Sequence, residues 1–246
     1  MVDYSIILLA AVGIFTASLF STVSGFGFAL VAMPFLTQIM PVKTAIIFII
    51  LMNLLLRLIN MYQVRKEFDW NTVLMTTIGS LVGMYPGSMV LKLMPAAQLE
   101  IFLGLVLLTA TLLLSLQCTV KITNKTAGRL GAGMIAGFFG ASTSVNGPPL
   151  ALYFLNEKTD KNLMRANLVW FFGLSGAMTV VTNYFAGNVH DVNWPMLLCC
   201  TPAMFVGILA GEKLFFRVPQ ELFRKLALVV VLIGASIMLY SGWCDL

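Results

Sequence analysis

Apolar residues run along this chain in long blocks. Blocks of roughly 20 mainly apolar residues, the length that crosses a hydrocarbon core of about 30 Å, follow one another almost from Met1 to Leu246. Six predict spanning helices over about 43–63, 71–91, 97–117, 165–186, 194–212 and 221–241. Two further runs, Tyr4 to Met40 and Thr126 to Asn156, are interrupted, at Ser24 to Gly27 and at Ala141 to Gly147. The pattern predicts an all-α membrane protein.

Composition sharpens this reading. Hydrophobic residues make up 59% and charged residues 10%, against about 25% charged in a soluble domain. No hydrophilic segment is long enough to form a soluble domain. The net charge of +5 therefore does not point to nucleic acid, because Lys and Arg collect in loops facing the cytoplasm. The first block, Tyr4 to Val23, reads as a retained span: only Asp3 precedes it and no small-residue cleavage site interrupts it. Cys118, Cys199, Cys200 and Cys244 lack metal-ligand spacing. Cys199 and Cys200 are vicinal, which disfavours a relaxed disulfide, so all four read as buried free thiols.

The chain also repeats itself. Trp70, Gly83, Gly87 and Pro95 recur as Trp194, Gly207, Gly211 and Pro219, each 124 residues later. The break Ser24-Gly25-Phe26-Gly27-Phe28 has a counterpart in Thr143-Ser144-Val145-Asn146-Gly147, at an offset of 119. Two halves follow, residues 1–118 and 126–246, joined by a linker at 119–125. If each interrupted run crosses once, there are eight spans and the halves are parallel. If each folds into a hairpin, each half has five segments and the halves are inverted. Positive charge decides between them: hairpins place 12 Lys and Arg on one face and 2 on the other, whereas eight spans divide them 9 against 5. The expected fold is two inverted repeats, each a broken or hairpin helix pair plus three transmembrane helices. Both termini then lie outside and the 118–126 connection lies in the cytoplasm. The second hairpin arms, Gly27 to Ile39 and Gly147 to Asn156, are about 20 and 15 Å long at 1.5 Å per residue, less than a full crossing.

Broken helices at depth occur where the backbone is buried in protein or lines a wet cavity, and inverted-repeat transporters bind substrate at such breaks. Asn146-Gly147-Pro148-Pro149 reads as a helix start, with Asn146 as cap and Pro in the first turn. Such a terminus favours an anion. Thr143, Ser144 and Asn146 add neutral hydrogen bonds. The first break offers Ser21, Thr22 and Ser24, with Gly25 and Gly27 allowing close approach. Arg57 lies within a span, where a charge costs about 2.5–3.5 kcal/mol. Either it snorkels toward Arg65 and the surface or it faces the anion. Gly83, Gly87, Gly207 and Gly211 read as packing seams, and Asn53, Asn60, Asn167 and Asn183 as hydrogen-bonding glue between helices.

No Asp or Glu falls near the middle of a span, with Glu100 and Glu212 near ends, and the single histidine, His190, falls in an outside loop. Hard cations want oxygen ligands, so a metal-cation carrier is disfavoured. No nucleophile–base pair or Walker-type motif is present, so an enzyme is not expected, nor a cofactor.

Ser24-Gly25-Phe26-Gly27-Phe28-Ala29-Leu30-Val31-Ala32-Met33-Pro34 resembles the first signature of the TauE/SafE family of sulfite exporters and anion permeases. Gly137-Phe138-Phe139-Gly140-Ala141, continuing through Gly147-Pro148-Pro149-Leu150-Ala151-Leu152-Tyr153, resembles the second. Members of that family often carry Thr-Gly-x-Gly-Gly in the second loop, where this chain has Ser144 and Asn146 in place of two glycines. The resemblance implies a multi-pass inner-membrane exporter of sulfite, sulfonates or related anions. The residues alone reach a small anion and a lipid bilayer as partners. A passive anion channel, or a carrier of another carboxylate or inorganic anion, remains the alternative, and a homodimer stays open. Ser24, Gly25, Gly27, Arg57, Thr143, Ser144, Asn146, Gly147 and Pro148 are the expected binding residues.

Overall fold

The computed structural model describes residues 4–65, 68–116, 124–189, 192–215 and 220–244. Lys66, Cys118, Lys121, His190 and Arg217 lie outside the described residues, as does most of the 118–126 connection. The described residues form helices α1 (Tyr4–Ser24), α2 (Phe28–Leu36), α3 (Val42–Gln63), α4 (Trp70–Leu93), α5 (Ala96–Leu116), α6 (Lys125–Thr143), α7 (Gly147–Asn156), α8 (Lys161–Phe185), α9 (Trp194–Phe215) and α10 (Gln220–Cys244), with no strand among them. Helices α1, α3, α4, α5, α8 and α9 each carry a stretch long and apolar enough to cross a membrane. This is a multi-pass membrane protein.

Both interrupted runs fold back on themselves. Phe35 of α2 sits against Gly13 of α1, and Phe20 sits against Gly27, so α2 returns antiparallel along α1. Helix α7 returns along α6 in the same way: Asn146 lies on Gly140, and at the far end Lys125 Nζ reaches Glu157 Oε2 at 3.4 Å. The arms are short. Helix α2 ends at Leu36 rather than Ile39, because Met40 and Ile39 turn back to bond the Leu36 carbonyl at 3.0 and 3.1 Å. Its 9 residues extend only about 14 Å. The second break is also narrower than expected. Helix α6 continues through Thr143, leaving residues 144–146 as the interruption.

Glycine seams join the two halves of the chain. A Cβ on Gly79, Gly83 or Gly87 of α4 would lie 2.2, 2.0 and 2.3 Å from the carbonyl oxygens of Leu130, Met134 and Phe138 of α6. From the other side, Gly133 and Gly137 meet the Thr76 and Ser80 oxygens at 2.1 Å. Helix α9 lies on α1 likewise, with Gly207 against Phe15 O (2.6 Å) and Gly211 against Leu19 O (2.9 Å). Lipid gives helices no hydrophobic reason to associate, so close backbone approach supplies the attraction. Gly83 and Gly207 keep the 124-residue offset, and their partners Met134 and Phe15 keep the offset of 119. In both seams the contacts advance in the same sense along the two helices, which therefore run parallel. Helices α5 and α10 run antiparallel, since Gly104 meets Leu239 while Gly242 meets Ile101. So do α3 and α8, with Met61 on Gly173 and Leu54 on Gly176.

At the α3–α4 turn, Asp69 caps α4. Its carboxylate accepts from the Thr72 hydroxyl and, at 3.1 Å, from the Asn71 N–H, and Arg129 Nη2 stands 3.8 Å away. The Thr72 hydroxyl foremost, then the Asn71 N–H and Arg129, hold the Asp69 carboxyl below its ordinary pKa. The cysteines correct one expectation: Cys199, Cys200 and Cys244 are free, but only Cys200 of these is buried.

Candidate functional site

The two breaks meet. A Cβ on Gly147, the first residue of α7, would lie 3.0 Å from the ring of Phe26 in the α1–α2 turn. Between them is a small cavity lined by Gly27, Phe28, Ala29, Leu30, Asn53, Arg57, Ser144, Val145, Asn146, Gly147 and Phe172. Its volume, about 10 Å³, is room for roughly one water. The conformation is pinched shut, and an anion larger than water enters only if the breaks move apart.

The breaks are built alike. Ser24 Oγ donates to Phe20 O at 2.8 Å and Thr143 Oγ1 donates to Phe139 O at 2.8 Å. Each hydroxyl also accepts the N–H two residues on, from Phe26 at 3.4 Å and from Val145 at 3.3 Å. Ser24 and Thr143, expected as ligands, thus have their hydroxyls taken up in holding the chain's turn. The next residue in each break is left-handed: Gly25 at φ 82° and Ser144 at φ 64°. Gly27 follows at φ 87°. Glycine adopts this region at no steric cost, whereas a serine there carries about 1–2 kcal/mol of strain. Ser144→Gly is accordingly expected to raise the thermal stability of the purified protein by about 1 kcal/mol. An unchanged or lowered melting temperature would show that the hydroxyl, rather than the backbone, dominates at this position.

The helix starts differ in what they offer. In α2 the intrahelical ladder begins with Val31 N–H on Gly27 O at 3.2 Å, so the N–H groups of Phe28, Ala29 and Leu30 have no intrahelical acceptor. In α7, Pro148 and Pro149 carry no N–H, and Gly147 is left as the backbone donor. Asn146 occupies the cap position, yet its side chain makes no capping bond. The cap expected of it is absent, because prolines in the first turn remove the donors a cap would satisfy. Pro148 itself lines a separate cavity of about 720 Å³ between α5, α6 and α7, whose walls include Phe102, Phe139, Leu152 and Tyr153. That space is mainly apolar, with Thr109, Tyr153 and Asn156 its polar side chains and no cation in its lining.

Arg57 does not snorkel. It is 1% exposed, and its guanidinium turns into the α1–α2 break. Nε donates to Asn53 Oδ1 at 3.2 Å, an Nη1 N–H to Gly25 O at 3.1 Å, and an Nη2 N–H to the Ser21 hydroxyl. The Phe172 ring lies under the charge, 4.9 Å from Cζ. All three acceptors are neutral. Among the described residues the ion pairs are Lys125–Glu157 and Asp69–Arg129, neither of which involves Arg57. A buried charge normally has a partner of opposite sign, and this one has two of its five N–H groups still to place.

Of the expected residues, Gly27, Arg57, Ser144, Asn146 and Gly147 line the one cavity. Ser24, Gly25 and Thr143 shape it from behind, and Pro148 faces the neighbouring space. Phe26, Phe172 and Arg165 belong here too. Arg165 packs its side chain on Gly25, its Cγ 3.1 Å from where a Cβ would be. Phe26 lies within the first signature, but no motif marks Phe172 and Arg165, since their approach to the breaks depends on how α8 crosses α3.

Paired helix interruptions around a buried cation, in a chain of apolar spanning helices, define a multi-pass membrane protein of the transporter class. The chain belongs to the sulfite exporter TauE/SafE family, whose model matches residues 9–238. The family is one of exporter-type membrane transporters, and so is this chain. Comparison with curated proteins and with solved structures gave no match.

Proposed function

We propose that this protein carries a small sulfur-containing oxyanion, sulfite or an organosulfonate, out of the cell, and that the anion binds where the two breaks meet. The observation that carries this reading is the buried Arg57 guanidinium with neutral acceptors only, beside polar groups that have no hydrogen-bond partner among the described residues. Ser144 is buried and Asn146 half-buried; among the described residues no hydrogen bond reaches the Ser144 hydroxyl or the Asn146 amide group, and both residues line the cavity with the start of α2. Guanidinium, hydroxyl, amide and backbone N–H groups together match the acceptor oxygens of an oxyanion. The closed cavity favours a carrier that opens and shuts over a standing pore.

The reading includes an inverted duplication of residues 1–118 and 126–246, with the linker at 119–125 giving way to α6 at Lys125. The antiparallel packing of α5 on α10 and of α3 on α8, together with exchange of seam helices at equivalent offsets, supports it. Both termini then face outward from the inner membrane and the connection faces the cytoplasm. A homodimer is compatible with this arrangement.

Asn146→Leu is expected to abolish anion uptake in reconstituted vesicles with little loss of folded protein. Wild-type uptake by that variant would refute the placement of the site. Melting temperatures measured with sulfite, taurine, sulfoacetate and carboxylates identify the substrate, because a ligand of the folded state alone raises the midpoint.

A further inference from the structure

Asn60 of α3 is 1% exposed, and neither its amide nitrogen nor its carbonyl oxygen has a hydrogen-bond partner. Native interiors pair nearly all such groups. The three other asparagines read as glue each have a partner. Asn53 Oδ1 accepts from Arg57, and Asn167 Oδ1 accepts from the Asp69 N–H at 2.8 Å. Asn183 donates to Thr179 O at 3.1 Å and accepts from Asn188 at 2.8 Å. Asn167 and Asn183, which also reaches Ala141 O of α6 at 3.5 Å, act as the glue their position suggests, whereas Asn53 bonds within its own helix. Asn60 does neither.

Its place on the helix gives it another role. At about 100° per residue, Asn53, Arg57 and Asn60 share one face of α3. Asn53 and Arg57 line the cavity, and Asn60 stands one turn further along, toward the C-terminal end of α3. A primary amide presents a donor and an acceptor side by side. A group that satisfies both must itself accept and donate. A sulfonate has acceptor oxygens and no proton, so it engages the amide nitrogen and leaves the carbonyl bare. An oxyanion that keeps one proton on oxygen, such as hydrogen sulfite in its O-protonated form, engages both.

We propose that Asn60 is a second contact for the transported anion, one helical turn from Arg57, and that it selects a proton-bearing oxyanion over an aprotic sulfonate. This rests on the anion-carrying reading above. The test compares fluxes of sulfite and of methanesulfonate in vesicles reconstituted with wild type, Asn60→Leu and Asn60→Thr. Asn60→Leu is expected to lower sulfite flux about tenfold and methanesulfonate flux only about threefold, because the sulfonate loses one bond and the protonated oxyanion two. Asn60→Thr, whose hydroxyl both donates and accepts, restores most of the sulfite flux. Equal losses for the two anions in both variants mean that Asn60 holds a structural water, and overturn the proposal. So does a sulfite flux unchanged by Asn60→Leu, or a wild type that moves methanesulfonate and no sulfite. A wild type that moves neither anion sinks the transport reading itself, a result distinct from the other three.

Discussion

Arg57→Met is expected to reduce anion flux by more than about a hundredfold, the largest functional loss from any single side chain of this protein. A hydrogen bond to a charged group contributes roughly 1.5–3 kcal/mol, and the guanidinium has two N–H groups left to give an anion. The folded protein should survive. Removing a buried charge also removes its desolvation cost, which offsets the donors lost to Asn53, Gly25 O and Ser21. Arg57→Lys should recover little flux, because one ammonium cannot reach three acceptors set in a fork and still face the cavity. Flux assays normalised to monodisperse protein check both variants. Near-wild-type flux in Arg57→Met would remove the cation from the mechanism.

Gly83→Val is expected to have the largest effect on folding. Its Cβ would sit 2.0 Å from Met134 O and 2.7 Å from the Phe138 N–H nitrogen. These are backbone atoms that cannot step aside, so α4 and α6 must separate. Overpacking of this kind costs typically 1–3 kcal/mol, and here the loss of the whole seam adds to it. Yield and melting temperature in detergent should both fall sharply. Gly207→Val should do less, since its nearest backbone atom is 2.6 Å away. Gly131→Ala provides the control, with nothing within 4 Å and a helix-propensity gain of about 0.5–1 kcal/mol. If Gly83→Val melts with wild type, the seam does not hold the halves together.

The spanning helices were legible because apolar block length alone selects them. The helix breaks were legible because Gly25, Gly27, Pro148 and Pro149 cannot continue an ordinary apolar helix unnoticed. The seams were legible as spacing: Gly83 and Gly87 on α4, Gly207 and Gly211 on α9. What could not be read was where long-range partners fall. Arg57 had two destinations, and the choice depends on a carbonyl 32 residues away, Gly25 O. Ser24 and Thr143 looked like ligands because a hydroxyl in a broken helix is free on paper; only the folded turn reveals that each bonds its own chain. Asn146 had the composition of a cap, but two prolines had already removed what it would cap. Asn60 looked the same as Asn53 in sequence, and only its lack of partners sets it apart.

The seams have a consequence for biogenesis. Helix α1 is among the first segments to enter the membrane, yet the helix that docks on it, α9, emerges after nearly all the rest of the chain. Until then α1 must wait in lipid with its docking face unoccupied, whereas α4 finds α6 soon after synthesis. Assembly is therefore lopsided in time although the finished contacts match. A chain that stalls before α9 leaves α1, made long before its partner, exposed to quality control.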